Sequence, residues 1–177
     1  MNSVATIVML LGLLLVPVVH SASLRVVALD WACAETAQAL GVTPVGMAQL
    51  ADYRLWSGDM PMPESVVDVG LRMEPNLELI RALRPDLILL SPMQQASVPL
   101  LERIAPVQLI AFNTPEQPDS YQQARVATRQ LARLLGRPAQ GERLLRATEQ
   151  ALTRLGERLR ANGEPRPVYL LRFADRR

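Results

Sequence analysis

Short apolar runs alternate with amphipathic stretches from Arg25 onward, and the alternation sets the order of elements. Arg25–Leu29 (RVVAL) is a continuous apolar run of strand length. Asp30 stands where a helix cap belongs, Trp31–Leu40 follows as a helix, and Gly41 stops it. Thr43–Met47 predicts a second strand, weakened by Pro44 and Gly46. Gln49–Pro63 carries Gly58, Pro61 and Pro63 and reads as a long loop. Ser65–Val69 predicts a brief strand. Pro75 suits the first turn of a helix through Asn76–Leu83, whose Leu77, Ile80 and Leu83 recur at helical spacing.

Leu87–Leu90 is an unbroken apolar strand, the pattern of a parallel sheet covered on both faces. Ser97 is placed to cap a helix through Ala105, and Val107–Phe112 predicts another strand. Asp119–Leu135 and Pro138–Ala161 read as two long amphipathic helices, the second carrying Gly141 and Gly156. Pro167–Arg172 (PVYLLR) predicts a further strand, five residues before Arg177. Strands alternating with helices predict a parallel α/β sheet. A strand begun at the far end of a long helix, with no partner after it, is an odd ending, since domains do not normally end by starting a sheet.

The first residues stand apart from this pattern. Ile7–Val19 is apolar except for Gly12 and Pro17, and His20, Ser21 and Ala22 follow. This is the layout of a signal peptide over residues 1–22, although no Lys or Arg precedes the apolar core. The run falls short of the about 20 apolar residues that a membrane span needs.

Composition narrows the chemistry. Of 177 residues 49% are apolar, enough for a sizeable core, and the net charge is only +2 with acids and bases interspersed. No basic tract suggests nucleic acid. Cys33 is the single cysteine, read as a buried small hydrophobe, and it permits no internal disulfide. His20 is the single histidine and would leave with the signal peptide. A bare transition-metal site recruits imidazoles or several thiolates, so any metal handled here is expected to arrive already chelated, with no cofactor held by the protein. Neither a GxGxxG nor a GxxxxGK[ST] loop is present, and no GxSxG elbow. Asp30 and Glu35 read as a cap and a solvated helix position rather than a catalytic pair. The chain is not expected to be an enzyme.

Two segments remain as binding candidates. Tyr53-Arg54-Leu55-Trp56 sets rings and a cation together, suited to an apolar or carbonyl-bearing ligand. Arg72, before the helix at Pro75, offers a planar fork of donors at the edge where open α/β sheets bind ligands, unless it pairs with Glu74.

The run Pro63-Glu64-Ser65-Val66-Val67-Asp68-Val69-Gly70-Leu71-Arg72-Met73-Glu74-Pro75-Asn76-Leu77-Glu78-Leu79 resembles the periplasmic ferric-hydroxamate (ferrichrome-type) siderophore-binding proteins of ABC importers. So do Val27-Ala28-Leu29-Asp30-Trp31, Tyr53-Arg54-Leu55-Trp56 and Arg103-Ile104-Ala105-Pro106, in the same order and at similar spacing. Arg84-Pro85-Asp86-Leu87 is shared with the wider class of chelate binders. The resemblance runs from about Arg25 to the last residues.

It implies a two-lobed fold: an N-terminal Rossmann-like α/β lobe over 23–137, an interlobe helix over 138–163, and the first strand of a C-terminal lobe over 164–177 whose remainder the sequence lacks. It implies capture of a ferric siderophore in the periplasm by a monomer that docks on an ABC permease in the inner membrane. Arg72 matches the arginine that hydrogen-bonds iron-bound hydroxamate oxygens, and Trp31 and Trp56 match aromatic positions lining the cleft; Tyr53 lies beside them. Gln94 stands where the family has a ligand-contacting Tyr, Leu90 where it has a cleft Trp, and Pro99 where it has a docking Glu, with Glu102 one turn on as its substitute. These departures leave another chelate, such as heme or cobalamin, as an alternative cargo, and a truncated remnant without function as an alternative identity.

Overall fold

The computed structural model describes residues 24–57, 61–114, 119–161 and 163. Five short strands form one parallel sheet: β1 (Val26–Ala28), β2 (Gly46–Met47), β3 (Val67–Asp68), β4 (Leu87–Leu90) and β5 (Val107–Leu109), in the order β3-β2-β1-β4-β5. β1 pairs with β4 through Val26–Leu87, Val27–Ile88 and Ala28–Leu89, and with β2 through Val27–Gly46 and Ala28–Met47. The strand order reverses between β1 and β4, and the crevice at such a switch point is where open α/β sheets hold ligands.

Side chains alternate between the two faces of the sheet. Val26, Ala28, Leu87 and Leu89 belong to one buried cluster, with Ala34 and Ala37 of α1 (Trp31–Ala39) and Leu131 of α5 (Ser120–Leu134). Val27, Leu29, Ile88 and Leu90 belong to the other, with Ile80 of α3 (Leu77–Ala82) and Leu101 of α4 (Val98–Leu101). Both faces are covered, so β4 can be apolar at every position, as its sequence shows.

The predicted cap operates at α1, where the Asp30 carboxylate accepts from the Ala32 and Cys33 amides at 3.0 and 3.3 Å; Asp119, read as the first residue of its helix, caps α5 instead, accepting from Gln122 N at 2.9 Å. Three local readings are corrected. Gln49–Pro63 is not a loop throughout: Leu50–Trp56 forms helix α2. Pro75 lies outside α3, in a bridge to Gly70, and Asn76 is the cap, its Oδ1 accepting from Leu79 N at 3.0 Å. Ser97 makes no capping bond; a 3-10 helix over Pro92–Ser97, begun by a Ser91–Gln94 capping box, leads directly into the short α4.

The last helix, α6 (Pro138–Ala161), packs on α5 only near its start. Gly141 makes the approach: a Cβ there would lie 2.6 Å from the Ala132 Cβ. The Arg129 guanidinium of α5 clasps Glu142 of α6 at 2.7 Å. Beyond Leu145 the helix leaves its neighbours, and Leu152, Leu155 and Leu159 are exposed. No helix among the described residues is long and apolar enough to cross a membrane. The signal-peptide reading of 1–22 and the strand read at Pro167–Arg172 lie outside the described residues.

Candidate functional site

The C-terminal ends of the strands converge around Arg72. β3 ends at Asp68, and the turn that follows needs Gly70, whose φ of 90° is a left-handed conformation. Its carbonyl accepts from Gln49 N at 2.8 Å, joining the segment after β3 to the segment after β2. Asp68 reinforces that junction. One carboxylate oxygen accepts from the Leu50 and Ala51 amides at 3.0 and 3.4 Å, and the other from Gly70 at 3.0 Å. Helix α2 is thus capped by a residue 18 positions away, which is why no capping signal adjoins it in the sequence.

Arg72 is held through two neutral groups. Its Nε donates to Gln49 Oε1 at 2.8 Å, and its Cζ lies 4.5 Å from the centroid of the Trp31 ring, a cation–π contact. The indole is fixed in turn: Trp31 Nε1 donates to the Ala48 carbonyl at 3.0 Å, and Tyr53 meets the ring edge-on at 5.6 Å. The ion pair with Glu74 that the sequence left open is not formed; the one salt bridge among the described residues is Arg129–Glu142. The Nη groups of Arg72 have no protein acceptor among the described residues. A guanidinium with two donor nitrogens is therefore presented at the sheet edge without an ion-pair partner among the described residues.

Gln94 is 2% exposed and its amide is saturated. Nε2 donates to the Leu29 carbonyl at 3.0 Å and to the Arg72 carbonyl at 2.9 Å. Oε1 accepts from Ser91 N at 3.0 Å and from Ser91 Oγ at 3.2 Å. An amide has two donors and two acceptor sites, and all four are engaged within the protein. The sequence brought Gln94 forward as a ligand contact. The structure instead places it beneath the site, tying β1, the Arg72 backbone and the start of the 3-10 helix together.

Tyr53 is 1% exposed, so it supports Trp31 from below. Burial, with the nearby charge of Glu35 adding to it, pushes its hydroxyl up to about 12, and it stays a phenol at any ordinary pH. Cys33 is also buried, and burial first, then the charge of Asp30, raises its thiol well above the ordinary value. A thiol kept protonated is a poor nucleophile.

Trp56 ends α2 one turn after Tyr53 and is 78% exposed. Leu55, Leu71, Met73 and Met93 are exposed large apolar residues on the same segments that carry Trp56, Arg72 and Gln94. Scattered singly these would mean little; grouped on the segments around the Arg72 guanidinium they suit a ligand with oxygen atoms on one side and apolar bulk on another. Glu102 is exposed at the end of α4. No three His, Cys, Asp or Glu side chains among the described residues converge as metal ligands would.

Gln49 is the residue that sequence reasoning missed. It sits at φ 51°, a left-handed backbone unusual for a side-chain-bearing residue. No local pattern marks it, because its partner Arg72 is 23 positions away.

Comparisons with known proteins point one way. The sequence pattern of the family described as periplasmic binding protein matches residues 26–177. The chain is 37% identical over 161 residues to the iron(3+)-hydroxamate-binding protein FhuD of Escherichia coli K12, covering 89% of this chain and 53% of that protein. It is 32% identical over 143 residues to the achromobactin-binding periplasmic protein of Dickeya dadantii, covering 76% of this chain and 42% of that one. Among solved structures it superposes on the Fe3+-Desferal-bound siderophore-binding protein FhuD of Vibrio cholerae with a TM-score of 0.74 at 38% identity, covering 79% of this chain and 52% of that chain. The chain thus spans about half the length of the relatives it matches.

Proposed function

Because this chain belongs to the periplasmic binding protein family, we propose that its Arg72 cleft captures an iron(III)-hydroxamate siderophore for uptake through an ABC importer. The observation that carries the reading is Arg72 itself: a cation held by an amide and an indole, with its Nη donors turned to no acceptor among the described residues. Iron-bound hydroxamate oxygens carry partial negative charge and suit such a donor pair. Trp31 below and Trp56 at the rim supply apolar flanks, while Gln94 and Tyr53 brace the contact residues. No covalent chemistry is required of any group; the action is binding.

The names of the relatives support the cargo class. The Escherichia coli protein is named for iron(3+)-hydroxamate, and the Vibrio cholerae structure holds Fe3+-Desferal. In this reading the region 23–137 is the N-terminal lobe, and 138–163 is the interlobe helix that leads to residues 164–177. The bare Leu152, Leu155 and Leu159 of α6 support a helix with a second body to seat. Export to the periplasm by residues 1–22, a monomeric state, and docking on an inner-membrane permease through Glu102 complete the proposal.

Calorimetric titration with a ferric trihydroxamate and its iron-free form tests it. Binding of the ferric form, weakened about tenfold or more by Arg72→Ala, is expected, since hydrogen bonds to a charged group are worth about 1.5–3 kcal/mol. Equal affinity of the two proteins would remove Arg72 from the site.

A further inference from the structure

Resting on the reading of Arg72 as the ligand's donor, we infer that Gln49 selects which edge of the guanidinium a ligand can meet. A guanidinium offers two bidentate edges, one made of Nε with an Nη and one made of both Nη groups. Gln49 Oε1 occupies Nε at 2.8 Å, which removes the first edge. The amide cannot be turned over, because its Nε2 donates to Asp52 Oδ2 at 2.8 Å; the oxygen faces a donor and the nitrogen faces a carboxylate. The backbone beneath is tied as well, with Gln49 N donating to the Gly70 carbonyl at 2.8 Å and Gln49 O accepting from Tyr53 N at 2.9 Å.

Gln94 works on the same residue from the other side by holding the Arg72 carbonyl. The main chain of Arg72 is therefore fixed by one glutamine, its Nε by another, and its face by Trp31. What remains is an end-on pair of Nη donors on a cation that forms no ion pair among the described residues; the nearby Asp52 carboxylate is engaged by the Gln49 amide instead. A glutamate at position 49 would also hold Nε, but its charge would offset the guanidinium. The neutral amide fixes the geometry and leaves the charge for the ligand. Gln49 is a positioning residue, and its gain is that less ordering of the arginine remains to be done on binding.

The test variant is Gln49→Asn. Asn tolerates the left-handed backbone that residue 49 adopts, yet it is one methylene shorter and leaves Nε out of reach. Hydrogen exchange of the Arg72 Nε–H, assigned by its loss in Arg72→Lys, is followed by NMR in the ligand-free chain. Exchange at least about tenfold faster in Gln49→Asn is expected when the protecting hydrogen bond is lost. Affinity for a ferric trihydroxamate should fall about threefold to tenfold in the same variant, and this cost should vanish in an Arg72→Ala background. Unchanged Nε–H exchange, or an equal cost in the Arg72→Ala background, would overturn the inference. Wild-type chain that binds no ferric trihydroxamate would defeat the functional reading and with it the edge-selecting role, while the exchange readout would still decide whether Gln49 positions Arg72.

Discussion

Replacing Gln94 with Met keeps the length and approximate volume of the side chain and removes all four of its hydrogen bonds. The Ser91 groups lie at the partly exposed start of the 3-10 helix and can turn to water. The Leu29 carbonyl cannot, since Leu29 is wholly buried, and the Arg72 carbonyl is only partly accessible. A wholly buried acceptor left unpaired costs about 1–3 kcal/mol and the partly accessible one about 1 kcal/mol, together about 2–4 kcal/mol, and the more apolar Met side chain offsets part of this. A net loss of about 2 kcal/mol is expected. With a urea dependence of about 1–3 kcal/mol per molar, the unfolding midpoint should fall by about 1 M, read by circular dichroism. A midpoint within about 0.2 M of wild type would refute the claim that this amide ties three segments together. Gln94→Glu provides a check of sign. A buried carboxyl facing two carbonyl oxygens has its pKa raised in the folded state. The variant should therefore be most stable at acid pH, where the protonated group can still donate one bond, and should lose stability as pH rises through that raised pKa.

Asp68→Ala strips the long-range cap from α2 and should cost about 1–2 kcal/mol, measured as a lower thermal midpoint; no change would mean that α2 is held by Leu50 and Tyr53 packing alone. The Glu142 carboxyl is held below its ordinary range by the hydrogen bond from Arg129, with the charges of Arg129, Arg146 and Arg125 adding to it. Its stabilisation is present above the ordinary carboxylate range and is lost as pH falls through the depressed pKa, so the difference in thermal midpoint between wild type and Glu142→Gln should shrink toward acid and with added salt. A difference that stays constant with pH would show that the Arg129–Glu142 clasp does not couple α5 to α6.

The order of strands and helices was legible because each element announces itself locally. β4 is apolar at four successive positions, and Asp30 and Asp119 sit directly before the helices they cap. Helix α2 was not legible, because its cap comes from Asp68 in another strand and Gly58, Pro61 and Pro63 downstream suggest a loop. Arg72 could be singled out from its chemistry and its place after a strand. Its partners could not. Gln49 and Gln94 are ordinary polar residues in sequence, and their roles depend on a left-handed backbone and on carbonyls brought together by β1, β3 and β4. The burial of Gln94 in particular arises from the crevice between β1 and β4, which exists only once the sheet is assembled.

The two tryptophans of the chain lie at different depths, and this makes the site its own gauge. Trp31 is partly buried, bonded through its indole nitrogen and faced by a guanidinium, whereas Trp56 stands out in solvent. Their emission should separate into a blue-shifted, sheltered component and a red-shifted one open to collisional quenchers. An occupant that touches only the rim would shield the second and leave the first unaltered; one that reaches Arg72 would change both. The depth to which a molecule enters can thus be read from light that the protein already emits, without attaching a label.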